Sequence, residues 1–284
     1  MQSLLFRPLH FAALAGGLLL LSTSACTTNK EQVEPESIVS AEDSGMAEEE
    51  NASLNDFVEA AAPADIAVLN GAVTEPTDLA RILPACATRT YDPSTRTLTL
   101  DFGAVNCTAP NGVTHRGQIV AVFNGRPRLQ GSSVSITLVN YFRNDNQHTG
   151  TRIITNTGDG SYSLSVQNAS VVTSTGTHSW NSQRTYTRLA GQSTRTLLDD
   201  QYSVTGSATG TNRRGATYAA TIQQPLLKVF TPGCARFFTA GTVSISNSNG
   251  KTLVLNYDPT STQACDNMAS VTINGRTRVF RLGR

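Results

Sequence analysis

Histidine is scarce in this chain, tryptophan occurs once, and no apolar run is long enough to cross a bilayer. Each shortage removes a class of function. Past residue 25 there are three histidines, His115, His148 and His178. No two are four residues apart and none lies beside a cysteine pair, so the ligand spacings of a zinc site are missing. No G-x-S-x-G turn occurs: GSATG at 206–210 puts its serine next to the first glycine, the wrong offset for a nucleophile elbow. A Walker loop is missing as well. No residue takes a catalytic role on this reading, no metal or cofactor is expected, and no nucleic-acid partner is expected.

What is present begins with an export signal. Arg7 lies in a short leading segment, an apolar stretch follows at 11–21, and the small residues Ser22, Thr23, Ser24 and Ala25 come before Cys26. Eleven apolar residues are too few to span a membrane and suit a signal peptide. With the cysteine directly after the small run, the segment resembles a bacterial lipoprotein signal, in which the chain is cut before a lipidated cysteine. The family pattern usually has leucine three residues before that cysteine; this chain has Thr23 there and Leu21 two residues earlier. The cysteine count agrees with an anchor. Of five cysteines, removing Cys26 to a thioether leaves an even four: Cys86, Cys107, Cys234 and Cys265.

Charge divides the chain in two. Residues 27–65 hold eleven acids, including Glu48, Glu49 and Glu50, against the single base Lys30. Few large apolar groups and no alternation suggest a disordered, self-repelling tether over 26–65, with a short helix capped by Ser53 as its one ordered element. Residues 66–284 hold 20 bases and ten acids, and 18 of those bases are arginine. Arginine favours forked contacts to anions, although a strand-rich domain also places it on the solvent face. A third account has the acidic segment folding back on its oppositely charged body.

The body, 66–284, reads as β throughout. TRTLTLDF at 95–102, QIVAVF at 118–123, SVSITLVNYF at 133–142, SYSLSV at 161–166, QRTYTRL at 183–189, ATYAATI at 216–222, TVSIS at 242–246, KTLVLNY at 251–257 and RTRVFRL at 276–282 alternate with period two. PTDLARIL at 76–83 is the exception and looks helical. Asn124-Gly125, Asn249-Gly250 and Asn274-Gly275 mark hairpins, because a type I′ turn needs two residues with positive φ. The expected fold is all-β and antiparallel, a β-sandwich first or a long curved meander second, with roughly a dozen strands or more.

One pattern occurs twice: cysteine, basic-Thr-Leu-x-Leu, cysteine, then a strand ending Asn-Gly-Arg. It runs through Cys86, Arg96-Thr97-Leu98, Cys107 and Asn124, and again through Cys234, Lys251-Thr252-Leu253, Cys265 and Asn274. Duplicated units or two hairpins stapled alike would both pair Cys86 with Cys107 and Cys234 with Cys265. Two other connectivities remain open from sequence, and an exported compartment would allow any of them.

Candidate binding residues are few. NYFRNDNQHTG at 140–150 places Asp145 and His148 in a polar stretch between strands, and NTGDGSY at 156–162 puts Asp159 in a tight turn. Neither fits a calcium loop, and turn chemistry accounts for both. A lone histidine on a strand is expected to be half exposed. Trp180 is either a core residue or an exposed sugar-stacking platform, and Arg213 and Arg214 form a basic pair. Asp199 and Asp200 are adjacent, so on a strand they point to opposite faces. A hydrolase would need Asp101, Asp145, Asp159, Asp199 or Asp200 to converge in a cleft.

The segments CATRTYDPSTRTLTLDFG, RGQIVAVFNG, VNYFRNDNQHTGTRIITN, YSVTGSATGTNRRG and LVLNYDPTSTQACDN make the body similar to a group of uncharacterised lipid-anchored, β-rich proteins of Gram-negative bacteria. The resemblance implies an outer-membrane location and an all-β fold and carries no activity. The reading is therefore an envelope lipoprotein, held at the membrane through Cys26 on the periplasmic or surface side. It would bind an anionic or polysaccharide partner, such as an anionic polysaccharide, or an envelope protein, or serve a structural role, with a glycan-processing hydrolase as the alternative.

Overall fold

The computed structural model describes residues 35–63, 83–109, 112–126, 129–194, 196–231, 234–235, 237–248 and 250–282. Cys26, the segment at 76–83 apart from Leu83, and Asn249 lie outside them. The first element is a helix, α1 (Pro35–Ala61), where a disordered tether was expected. Proline opens it at the position where its missing N–H is harmless, and alanine and glutamate favour its interior. It runs straight through Ser53, which caps nothing. α1 and the strands described below fall within one compact unit.

The strands are β1 (Thr88–Asp92), β2 (Thr97–Asp101), β3 (Cys107–Thr108), β4 (Thr114–Asn124), β5 (Ser133–Arg143), β6 (Asn146–Gly158) and β7 (Ser161–Thr173). They continue with β8 (Gly176–Ala190), β9 (Gln201–Thr211), β10 (Thr217–Val229), β11 (Phe238–Asn247), β12 (Thr252–Asn256), β13 (Met268–Ile273) and β14 (Arg276–Arg281). All fourteen form one antiparallel sheet in sequence order from β1 to β14, with β3 pairing off the path against β4. The long meander is the arrangement found, and the sandwich is not. Asn144-Asp145, Asp159-Gly160 and Asn274-Gly275 all have positive φ and close two-residue hairpins, as a type I′ turn requires. Asn124-Gly125 differs. Asn124 is the last residue of β4, and the next strand, β5, starts at Ser133, so no two-residue hairpin closes there.

The sheet curls around α1. Side chains on every quarter of the helix meet the sheet: Ser40 meets Asn212 just beyond β9, Glu48 meets Arg184 of β8, Asp56 meets Lys228 of β10 and Phe57 meets Phe102 just beyond β2. A flat sheet cannot contact a helix all round. Bulges supply the bend: the register shifts at Gly117 in β4 and Gly150 in β6, with φ of 84° and 104°. A β-carbon at Gly117 would lie 2.0 Å from the Asn140 carbonyl oxygen. The sheet stays open, since β1 and β14 do not pair. At about 100° per residue, the half-buried Glu42, Met46 and Ser53 share one narrow stripe of α1. It lies between the side that meets Leu282, just past β14, and the side that meets Phe102, next to β2. That stripe faces the seam. Both edge strands are short, and inward-facing charge on them (Arg89 in β1, Arg278 in β14) discourages edge-to-edge pairing.

Cys86–Cys107 and Cys234–Cys265 are both bonded. The first encloses the β1–β2 hairpin and the second the β11–β12 hairpin, so the sequence echo corresponds to two stapled hairpins toward opposite edges of the sheet.

Candidate functional site

An acidic helix inside a basic sheet organises the interior. The 27 residues of α1 include eight acids and no base. The inner positions of the strands answer them. On β8 the inward set is His178, Trp180, Ser182, Arg184 and Tyr186, and on β6 it includes His148 and Arg152. Arg184 Nε donates to Glu48 Oε2 at 2.9 Å, with its Nη2 on the other oxygen. Lys228 Nζ stands 3.1 Å from Asp56 Oδ2. Glu50 faces three groups: His148 Nδ1 at 2.9 Å, Arg143 Nη1 at 3.4 Å and Arg152 Nη2 at 3.7 Å. At the far end of the helix, Arg89 Nε donates to the Ala61 carbonyl at 2.7 Å, a cation where the helix dipole is negative.

Electrostatics follow burial. Burial opposes the charge of Glu50, but His148, Arg143 and Arg152 together hold its carboxyl well below the usual range. For Asp56, burial outweighs Lys228 and pushes the carboxyl up to about 6. Burial also pushes His115 down to about 4 and His178 down to about 3, so both imidazoles are neutral at pH 7. Each sits 2.8 Å from a tyrosine hydroxyl, His115 on Tyr141 and His178 on Tyr218.

These two histidines make stability depend on acid. A folded pKa below the unfolded value of 6.5 contributes stability above pH 6.5 and loses it as pH falls toward 4 for His115 and 3 for His178. The slope is about 1.4 kcal/mol per pH unit for each. Asp56 works in the opposite sense: its contribution is complete below pH 3.8 and lost as pH rises through about 6. It offsets about one histidine, and Asp43 and Asp200, whose carboxyls burial also raises, act in the same sense at lower pH. Urea midpoints measured from pH 8 to pH 4 should therefore fall below pH 6.5, and His178→Phe should flatten that fall; a pH-independent midpoint would contradict the assignment.

Several sequence expectations change in this light. Trp180 is no sugar platform: it is buried at 1% exposure and stacked on His178 at 4.8 Å. His115, His148 and His178 are buried, not half exposed, because each occupies an inner strand position. Arg213 is not available to a partner. Its backbone N–H donates to Asp43 Oδ2 at 2.7 Å, and its guanidinium pairs with Asp43 and Glu42. Arg214 is exposed. Asp145 is exposed too, and pairs with Arg116 and Asn106. Arginine as solvent-face decoration fails for Arg143, Arg152, Arg184 and Arg213, all turned to the helix.

The five candidate hydrolase carboxylates are divided between the two ends of the sheet: Asp101 and Asp145 stand at one, and the Asp159-Gly160 turn and Asp200 both lie against Arg188 at the other. Successive turns of a meander lie at opposite ends, so Asp145 at one end of the 13-residue β6 is roughly 40 Å from Asp159 at the other. Asp101 and Asp145 lie nearer each other, but hydrogen bonds hold both carboxyls low, from the Gly103 N–H for Asp101 and from Asn106 for Asp145. Neither suits the proton-donor role. Asp199 is exposed and bonded by Thr194, while Asp200 is buried against Arg188 and Tyr202. Among the described residues no group of three His, Cys, Asp or Glu side chains is placed to hold a metal ion, and no helix is long and apolar enough to cross a membrane.

Outside, the sheet has a broad hollow of about 720 Å³ across β7 to β11. It was not legible in sequence. A register shift in β7 throws Asn168 into positive φ, where its N–H donates to Asn181 Oδ1 at 2.9 Å. Ser170, Asn181, Thr209 and Thr211 are among its walls, and no charged side chain of the described residues lines it. The chain matches no known protein family, no curated protein and no solved structure.

Proposed function

We propose that this is a lipid-anchored envelope protein that binds an uncharged polysaccharide on the outer face of its sheet. Cys26 carries the lipid on this reading, held by a tether of nine residues at most about 30 Å long, because the chain enters α1 at Pro35. One observation supports a neutral ligand over an anionic one: the inner cations are already matched by the chain's own acidic helix. What remains outward at the hollow is hydroxyl and carboxamide. Such groups both donate and accept hydrogen bonds, as sugar hydroxyls do, and shallow polar contact suits a long polymer engaged at several points.

A panel of neutral and anionic envelope polysaccharides tests this. Neutral polymers should be retained equally with and without about 0.5 M salt, where exposed charges are screened. Thr209→Arg, which places a long charged side chain in the hollow, should abolish retention without changing the melting temperature. Retention of anionic polymers alone, lost in salt, would overturn the reading.

A further inference from the structure

The interior of the sheet is not completely filled by α1. At the helix's C-terminal end, between its last turn and strands β4 to β8, a cavity of about 280 Å³ opens to solvent. Its buried lining is mainly apolar, with Val58, Phe123, Ile154 and Leu197 each under one-tenth exposed, and it also holds the buried Asn55, Ser132 and Tyr162. Its mouth is polar, formed by Glu59, Arg188, Gln192 and Thr194. The geometry points to a binding site for a single-chain amphiphile with an uncharged head, the tail inside and the head at the mouth.

Three features carry this assignment. First, the buried lining offers mostly hydrocarbon, with its polar Asn55 and Tyr162 bonded to each other at 2.9 Å, while the charged groups stand at the rim, the profile of a site for a molecule with one apolar end. Second, the volume suits a short chain, roughly nine or ten heavy atoms at the ~30 Å³ that a water occupies. Third, charge decides the head. Arg188 is the one cation lining the cavity among the described residues, and it pairs with the buried Asp200 while Glu59 also faces it. Two carboxylates against one guanidinium leave no surplus positive charge for a carboxylate head. Arg188 nevertheless keeps a donor: Nη2 serves Asp200 and the Gly191 carbonyl and Nε the Ala190 carbonyl, while Nη1 has no hydrogen-bond partner among the described residues. A hydroxyl or ester oxygen would satisfy it.

The test uses the full chain carrying Cys26→Ser, so that no acyl group of its own competes, with monodecanoylglycerol below its micellar concentration as probe and decanoate as comparator. Calorimetry should show saturable one-to-one binding of the glyceride, with decanoate weaker by about tenfold or more at neutral pH. Glu59→Gln should narrow that gap to within about threefold. Ala62→Trp, at the half-buried rim, should weaken the glyceride about tenfold with an unchanged melting temperature; Thr194→Trp, on the exposed opposite rim, replaces it if that chain does not fold. Absence of saturable binding, tighter binding of decanoate, or a plugged mouth that binds the glyceride undiminished would overturn the assignment. These outcomes are independent of the outer hollow, which Thr209→Arg probes.

Discussion

A chain beginning at residue 66 should fail to fold. The tether reading predicts the reverse, because a stalk can be removed from a self-sufficient β domain. Deleting α1 removes Ile38, Val39, Leu54, Phe57 and Val58 from the core, each less than one-tenth exposed. At about 1.5–3 kcal/mol per large side chain, these five contribute on the order of 10 kcal/mol, comparable to the whole stability of a typical domain. The deletion also strands Arg152, Arg184 and Lys228, each about 2% exposed or less, without their anions. Residues 66–284 expressed alone should show no cooperative thermal transition, and a synthetic peptide covering 35–61 should restore one when added. A cooperative melt at the parent temperature without the peptide would refute the internal-helix account.

The second large effect is at Glu50. Replacement by glutamine keeps the shape and removes the charge that stands 3.7 Å from Arg152, a buried guanidinium none of whose nitrogens has a hydrogen-bond partner among the described residues. Removing one member of a buried ion cluster costs about 3–5 kcal/mol. For a chain of this size that lowers the melting temperature by on the order of 10 °C. Adding Arg152→Leu to Glu50→Gln should recover most of the loss, because it removes the orphaned charge. A loss under about 1 kcal/mol for the single variant would show that these groups are solvated.

The strands were legible because alternation reports a sheet with one buried face, and the two-residue turns at Asp159-Gly160 and Asn274-Gly275 because few residues tolerate positive φ. β6 and β9 were harder. Asn146–Gly158 and Gln201–Thr211 are rich in Asn, Thr, Ser and Gly and read as loop until their partners are known. The helix escaped for a different reason. An amphipathic pattern predicts a helix packed on one side, whereas α1 is acidic on several faces, the usual signature of a solvated segment. Its burial is intelligible only together with the inner cations of the sheet. The imbalance between residues 27–65 and 66–284 carried that signal in bulk, and the alternation around Arg184 carried it locally, since Ser182, Arg184 and Tyr186 share a face. What sequence could not supply was which face turned inward. The same gap hid both hollows, for each depends on where the sheet bends around its helix.

Amide hydrogen exchange across residues 38–61 tests the central claim most directly. If the acidic segment is a helix enclosed by the sheet, its amides exchange as slowly as those of β7 and β8 and are released only with global unfolding. Exchange of those amides within seconds, while the strands stay protected, would show a free segment beside an independent sheet and contradict the account.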